Sequence, residues 1–285
     1  MSSLLGRLKR ELDAIGAQAR RRLGQNFMID SAALEAVASA ALSDPSTALV
    51  EIGPGLGYLT EVLLASGRPV LAIEKDSRLA ARLKAKHAGR PLTVLETDVL
   101  EADLADRIPS DLPVTVVGNI PYNITSPILE WMIGQRRHIR RAVLTIQREV
   151  AERLAAEPGT KAWGALSVFI QFYAEPVILG RFKPTCFYPA PKVDSAVVAF
   201  ERFGIPRAEV VDEKLFFETV RRAFQKRRKM LLNALENRDD PRWSKSALAE
   251  SLKAADIEPT LRPERLSIAQ WAALCERIRT RKDDG

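Results

Sequence analysis

Short apolar runs and longer helix-forming stretches alternate along the chain from Ala32 to Phe200. Residues 32–42 are mostly Ala, Leu and Val with a single Glu, and predict a helix with Asp30 or Ser31 as its cap. Ala48–Ile52 predicts a buried strand, followed by a Gly/Pro turn and a helix near Tyr58–Ser66. Val70–Glu74 predicts the next strand and Asp76–His87 the next helix. Leu92–Leu95, Val114–Val117 and Ala142–Ile146 predict further strands. Short apolar strands separated by helices predict a parallel sheet covered on both faces. Pro176–Leu179 and Ala196–Phe200 lie close in sequence and predict an antiparallel pair at one edge. Beyond Phe203-Gly-Ile-Pro206 the period becomes helical, with breaks near Asn237–Pro241 and Glu258–Pro263. The expected organisation is an α/β domain over 1–204 and an all-helical domain over 205–285.

Composition narrows the class of partner. Of 285 residues, 46% are hydrophobic and 28% charged, which fits a globular protein with a real core. No run of about 18 apolar residues predicts a membrane span, and the first residues lack the apolar stretch of a secretory signal. A cytoplasmic location is therefore expected. Two cysteines and two histidines, scattered along the chain, predict neither a disulfide framework nor a metal site. The net charge of +7 favours a polyanionic partner if the charge is clustered. Three runs are clustered: Arg20–Arg22, Arg136–Arg141 and Arg221–Lys229, the last with six basic residues in nine.

The turn after the first strand is Glu51-Ile-Gly53-Pro-Gly55-Leu-Gly57. Glycines there let a ligand approach the backbone, and open α/β sheets bind nucleotides at this place. Glu74 ends the second strand, where a carboxylate can accept from two ribose hydroxyls. Asp98 follows the third and can meet an adenine amine. The glycine spacing is Gly-x-Gly-x-Gly, not the Gly-x-Gly-x-x-Gly of dinucleotide enzymes, and no Lys-Ser/Thr pair makes a phosphate loop. An adenosyl group carrying little phosphate fits better, and S-adenosylmethionine is the leading candidate.

The fourth strand ends in Asn119-Ile120-Pro121-Tyr122. Asn119 offers a carbonyl acceptor, and the residue before a proline is held extended, which turns the Ile120 carbonyl the same way. Two such acceptors can hold an amine and draw its lone pair out of ring conjugation, so that it attacks a methyl donor without a strong base. Tyr122 offers an aromatic face to a flat substrate. Phe187, in Phe187-Tyr-Pro-Ala-Pro-Lys-Val-Asp-Ser195, offers a second, although a core Phe beside a stiff loop fits the spacing almost as well.

Taken in order, these segments resemble the ribosomal small-subunit adenine dimethyltransferase family. The resemblance includes Leu23-Gly-Gln-Asn26-Phe-Met28-Ile-Asp30 and Ala223-Phe-Gln-Lys226-Arg227-Arg228-Lys229, and so covers nearly the whole chain. Met28 and Ile120 stand where leucine is common, both conservative changes. It implies a Rossmann-like methyltransferase sheet of seven strands with a small helical C-terminal domain. It implies S-adenosylmethionine contacts at Asn26, Met28, Gly53, Glu74, Asp98 and Asn119, with no metal. The substrate it implies is 16S rRNA in the 30S subunit or its precursor. There, two adjacent adenosines in the 3′-terminal hairpin loop become N6,N6-dimethyladenosine. A monomer is expected.

Through and around the last basic run, Phe217, Val220, Phe224, Leu231 and Leu235 form one helical apolar stripe. Arg222, Lys226 and Lys229 project from another face, and Arg228 falls on the stripe, which predicts a helix break or an Arg reaching past the core. Arg222, Lys226, Arg227, Arg228 and Lys229 are the expected rRNA contacts. Three rival readings stand beside this one. They are a large-subunit rRNA methyltransferase of the antibiotic-resistance type, a non-catalytic RNA-binding assembly factor and a nicotinamide dehydrogenase.

Overall fold

The computed structural model describes residues 4–16, 25–109, 111–237 and 239–280. Arg20–Arg22, Leu23 and Gly24 lie outside the described residues. The elements are α1 (Leu4–Ala14), β1 (Phe27–Met28), α2 (Ser31–Leu42), β2 (Ala48–Ile52), α3 (Tyr58–Ala65), β3 (Val70–Glu74) and α4 (Ser77–Lys86). Next come β4 (Leu92–Glu96), β5 (Val114–Asn119), α5 (Thr125–Gly134), β6 (Ile139–Gln147), α6 (Arg148–Leu154) and α7 (Ala165–Tyr173). The chain continues through β7 (Glu175–Phe182), β8 (Phe187–Tyr188), β9 (Ser195–Glu201), α8 (Glu213–Gln225), α9 (Leu231–Leu235), α10 (Lys245–Ala254) and α11 (Ile268–Thr280).

Contacts divide these elements into two compact units. One holds the chain up to Ala151 together with Glu175–Gly204; the other holds Glu152–Ala174 and the chain from Ile205. The chain passes between the units after Ala151, after Ala174 and after Gly204, so Glu152–Ala174 belongs with the chain from Ile205. This segment joins the helices because α7 packs on α8 and α11. Its Trp163 is fully buried and donates its indole N–H to the Leu266 carbonyl at 3.1 Å.

The first unit is built on a seven-stranded sheet in the order β4-β3-β2-β5-β6-β9-β7. Strands β4, β3, β2, β5 and β6 are mutually parallel, and β9 runs against both of its neighbours. Successive residues of the central strands point to opposite faces, and both sets are apolar. Leu49, Val117, Val143 and Val197 pack with the buried residues of α2 and α3, while Val50, Val116, Leu144 and Val198 are buried on the other side. This double burial explains why the strands read as continuous apolar runs rather than alternating ones. Asp30 does cap α2, accepting from the Ala33 N–H at 2.9 Å, a contact of the kind worth about 1 kcal/mol.

The chain runs outward from β2 through β3 to β4, then returns to β5 on the other side of β2 and continues to β6. The loops leaving β2 and β5 therefore depart in opposite directions. Such a reversal of strand order opens a crevice at the carboxyl ends of the two strands.

Candidate functional site

A cavity of about 460 Å³ occupies that crevice. Its wall includes Asn26 and Met28, the loop after β2, Glu74, Asp98, and Asn119 to Pro121. Every residue expected to hold the donor thus reaches one cavity. The sheet sets their order: Asp98 after β4, Glu74 at the end of β3, Gly53 after β2, and Asn119 at the end of β5.

The glycine loop has no spare glycine N–H for a phosphate. Gly53 donates to the Ile73 carbonyl at 2.9 Å, Gly57 to the Pro54 carbonyl at 2.9 Å, and Gly55 to the Glu74 carboxylate at 3.0 Å. Gly55 has a φ of 60°, and a Cβ there would sit 2.8 Å from the Phe27 ring, so the close turn depends on glycine. The other Glu74 oxygen accepts from the Asp76 N–H at 2.8 Å. Burial pushes the Glu74 carboxyl above the usual range, against the pull of the Asp76 and Gly55 N–H groups. Below the loop, Glu51 is closed off from solvent and takes the Thr60 hydroxyl at 2.6 Å. Burial, opposed by that hydroxyl and reinforced by Glu74, pushes Glu51 up to about 8. Two carboxyls under a loop with no free glycine N–H suit a ligand without phosphate.

Asp98 lies at the opposite end of the cavity from Asn119. Its carboxylate accepts from the Lys75 ammonium at 2.6 Å and the Leu100 N–H at 3.1 Å. Burial opposes its ionisation, but these two donors outweigh it and hold the group below the ordinary Asp range.

Asn119 donates its side-chain N–H to the Asn26 carbonyl at 2.5 Å. That contact holds the amide through its nitrogen, in a residue that lines the cavity, and leaves Oδ1 as its acceptor. The Ile120 N–H is tied to the Thr145 carbonyl at 3.0 Å, which anchors the tetrapeptide to β6. Gly118, just before it, faces the Ile52 carbonyl so closely that a Cβ would lie 2.7 Å away. Tyr122 opens a short 3-10 turn, and its hydroxyl shares a 2.6 Å hydrogen bond with Ser195. Tyr122 itself is not among the residues that line the cavity, although its neighbours Pro121, Asn123 and Ile124 are.

Two expectations need correction. Phe187 does not face the cavity: it is 2% exposed, pairs with Met28 in a two-stranded ladder, and belongs to the core with Leu34 and Val197. It presents no ring face to a base in this structure. The basic run is also not one face of one helix. Helix α8 stops at Gln225 and α9 starts at Leu231, so Lys226 and Lys229 are not in register with Arg222. Arg222 lies 4.7 Å over the Trp243 ring and pairs with Glu218 at 3.3 Å. Arg227 donates to the Lys161 carbonyl and lies 3.9 Å from Glu264. Lys226, Arg228 and Lys229 are exposed. In the earlier run, Arg141 pairs with Glu201 at 2.7 Å and Arg140 with Asp44 at 3.6 Å.

The ribosomal RNA adenine dimethylase model matches residues 16–279. The chain belongs to the ribosomal RNA adenine dimethylase family. It is 40% identical over 275 residues to the ribosomal RNA small subunit methyltransferase A of Geobacillus thermodenitrificans, covering 94% of each chain. It is 41% identical to the protein of the same name from Desulfitobacterium hafniense, covering 92% of this chain and 93% of that one. Among solved structures it is similar to the 23S rRNA methyltransferase ErmE, with a TM-score of 0.68 and 29% identity over 89% of this chain and all of that one. A dimethyladenosine transferase from Plasmodium falciparum shares the fold, with a TM-score of 0.75 and 24% identity over 89% and 97% of the two chains. The sheet is thus that of an S-adenosylmethionine-dependent methyltransferase, and a dehydrogenase is excluded.

Sequence reasoning missed Glu51 with Thr60, and Thr145. Their signal was periodicity: a charged or hydroxyl residue at an inward position of an apolar strand, for Glu51 and Thr145, or of an apolar helix, for Thr60.

Proposed function

We propose that this enzyme dimethylates N6 of two adjacent adenosines in the 3′-terminal hairpin loop of 16S rRNA. Its substrate is the 30S subunit or its precursor, and it works as a cytoplasmic monomer. Support for the small-subunit substrate comes from relatives of about 40% identity that align along nearly their full length. The observation that carries the chemistry is the Asn119 amide, pinned through its nitrogen in the wall of the cavity, where its oxygen is the acceptor we assign to the target amine.

The site fits the donor. Glu74 would take the ribose hydroxyls, Asp98 would lie by the adenine, and Asn26, Met28 and Gly53 would flank the rest. S-adenosylmethionine supplies an electrophilic methyl group when bound. The chain's own part is to hold the target amine. In the first transfer Asn119 Oδ1 accepts one amine hydrogen and the Ile120 carbonyl the other, and in the second the one remaining hydrogen keeps one of these acceptors. Each contact localises the lone pair, and each transfer releases S-adenosylhomocysteine and a proton that passes to solvent. Neither group needs to remove a proton before attack, and no side chain of ordinary basic pKa is required beside the amine. Tyr122 gives the extruded base an aromatic face, offsetting part of the few kcal/mol that unstacking costs.

The test is methyl transfer to 30S particles lacking the modification, with the modified nucleotides mapped. Label at the two adjacent adenosines supports the reading. Label on 50S particles instead would assign the large-subunit alternative, and no label on either would leave an assembly factor.

A further inference from the structure

Thr145 lies in β6, beside Asn119 in the parallel ladder. Its side chain has no exposure to solvent, and its hydroxyl has no hydrogen-bond partner, yet it forms part of the cavity wall. The other buried threonines among the described residues are all satisfied. Thr47 and Thr115 bond each other at 2.7 Å, and Thr60 bonds Glu51 at 2.6 Å. Thr125 and Thr219 donate to the carbonyls of Tyr122 and Leu215. An unsatisfied buried hydroxyl costs about 1–3 kcal/mol, and a valine of the same shape would avoid that cost. A partner arriving with a ligand accounts for the hydroxyl.

The order of strands says which part of the ligand arrives. Asp98 and Glu74 follow β4 and β3, the glycine loop follows β2, and Asn119 and Thr145 lie on β5 and β6. A donor with its adenosine at Glu74 and Asp98 must extend its other end past β2 toward β5 and β6. That end is an α-amino-acid tail, which carries an ammonium donor and carboxylate acceptors. Leu34 and Val37 of α2, which share the wall with Thr145, offer it no hydrogen bond.

We propose that the Thr145 hydroxyl is a specificity-determining contact for the amino-acid tail of the methyl donor. This rests on the donor-site reading above. A hydroxyl can accept from the ammonium or donate to the carboxylate, and either bond satisfies the buried group.

The test compares two ligands that differ in that tail. S-adenosylhomocysteine carries it; 5′-methylthioadenosine keeps the adenosine and sulfur but lacks it. Calorimetry on Thr145→Val should show S-adenosylhomocysteine binding weakened roughly tenfold, as for loss of a hydrogen bond to a charged group. Methylthioadenosine affinity should stay unchanged, and Thr145→Ser should bind both ligands nearly as the parent does. Without ligand, Thr145→Val should melt at or above the parent temperature. The inference is overturned if Thr145→Val binds S-adenosylhomocysteine like the parent, or loses both ligands by one factor. A lower melting temperature for the free variant would also overturn it, since the hydroxyl would then have a partner already. If the parent binds neither compound, the donor-site reading itself fails.

Discussion

The cavity at the strand ends and the basic segment 221–229 present opposite relations between motif and geometry. At the cavity, residues far apart in sequence, from Gly53 to Asn119, converge because the parallel register of the sheet brings its strand ends to one side. In the basic segment, neighbours in sequence diverge. Arg222 is held over Trp243 and Arg227 against Glu264, while Lys226, Arg228 and Lys229 face solvent. A ladder of backbone hydrogen bonds transmits position over long distances. A run of like charges does not, because each side chain settles with whatever acid or ring lies within reach. Motifs at strand ends therefore deserve a geometric reading, and charge runs need sorting residue by residue.

The largest expected effect lies at the converging end. Asn119→Ala should lower methyl transfer to 30S particles by about 100- to 1000-fold, the range found on removing one acceptor or donor aimed at a reacting group. Donor affinity should fall much less, because Glu74 and Asp98 remain. Single-turnover rates with calorimetry in parallel check both parts. Near-normal turnover would break the comparison, since convergence on the cavity would then have no chemical consequence.

Glu51 comes next, through pH. Its folded pKa of about 8 lies above the ordinary Glu value of 4.5, so over that interval the folded protein keeps a proton that the unfolded chain has released. Stability should fall as pH rises through this window and level off above it. Each unit of displacement is worth about 1.4 kcal/mol. Glu51→Gln, which retains an acceptor for Thr60, should remove this slope. Melting temperatures of parent and variant at pH 5 and pH 9 check it: the variant should gain on the parent at the higher pH. Parallel curves would show that Glu51 is ionised when folded.

Glu74→Ala is expected to weaken donor binding by about 10- to 100-fold, as for loss of charge-assisted hydrogen bonds. Binding of rRNA without donor should not change. Unchanged S-adenosylmethionine affinity by calorimetry would remove Glu74 from the site.

The strand ends were legible because an apolar run shows where a strand stops, and in a parallel sheet every carboxyl end lies on one side. Ala48–Ile52 and Val70–Glu74 were placed to the residue, and with them Gly53 and Glu74. Phe187 was not legible. A two-residue strand such as β8 has no periodicity, and its pairing with Met28 is set by tertiary contact. The segment Glu152–Ala174 was hidden for a related reason. Its helix-forming residues look the same whichever core they fill, and only contacts such as Trp163 with Leu266 reveal the choice. Thr145 needed the hydrogen-bond inventory, since a threonine in a strand is unremarkable in sequence.

The smallest effects are expected in the basic segment, where the sorting of side chains can be tested directly. Lys226, Arg228 and Lys229 are exposed and can reach phosphates, whereas Arg222 is engaged with Glu218 and the Trp243 ring. Binding to phosphates releases counterions, so affinity depends on salt with a slope of about 0.7–0.9 per neutralised charge. Replacing Lys226, Arg228 and Lys229 together with Ala should weaken 30S binding and flatten the salt slope by about two units, with donor affinity and melting temperature unchanged. Arg222→Ala should do the reverse. It should leave the salt slope in place and cost about 1 kcal/mol of stability, because a cation over an aromatic face and its packing are lost. Titrations at several salt concentrations, with thermal melts of each variant, separate the two classes. If Arg222→Ala flattens the slope as much as the triple variant does, the segment acts as one charged surface and the division drawn between its residues is wrong.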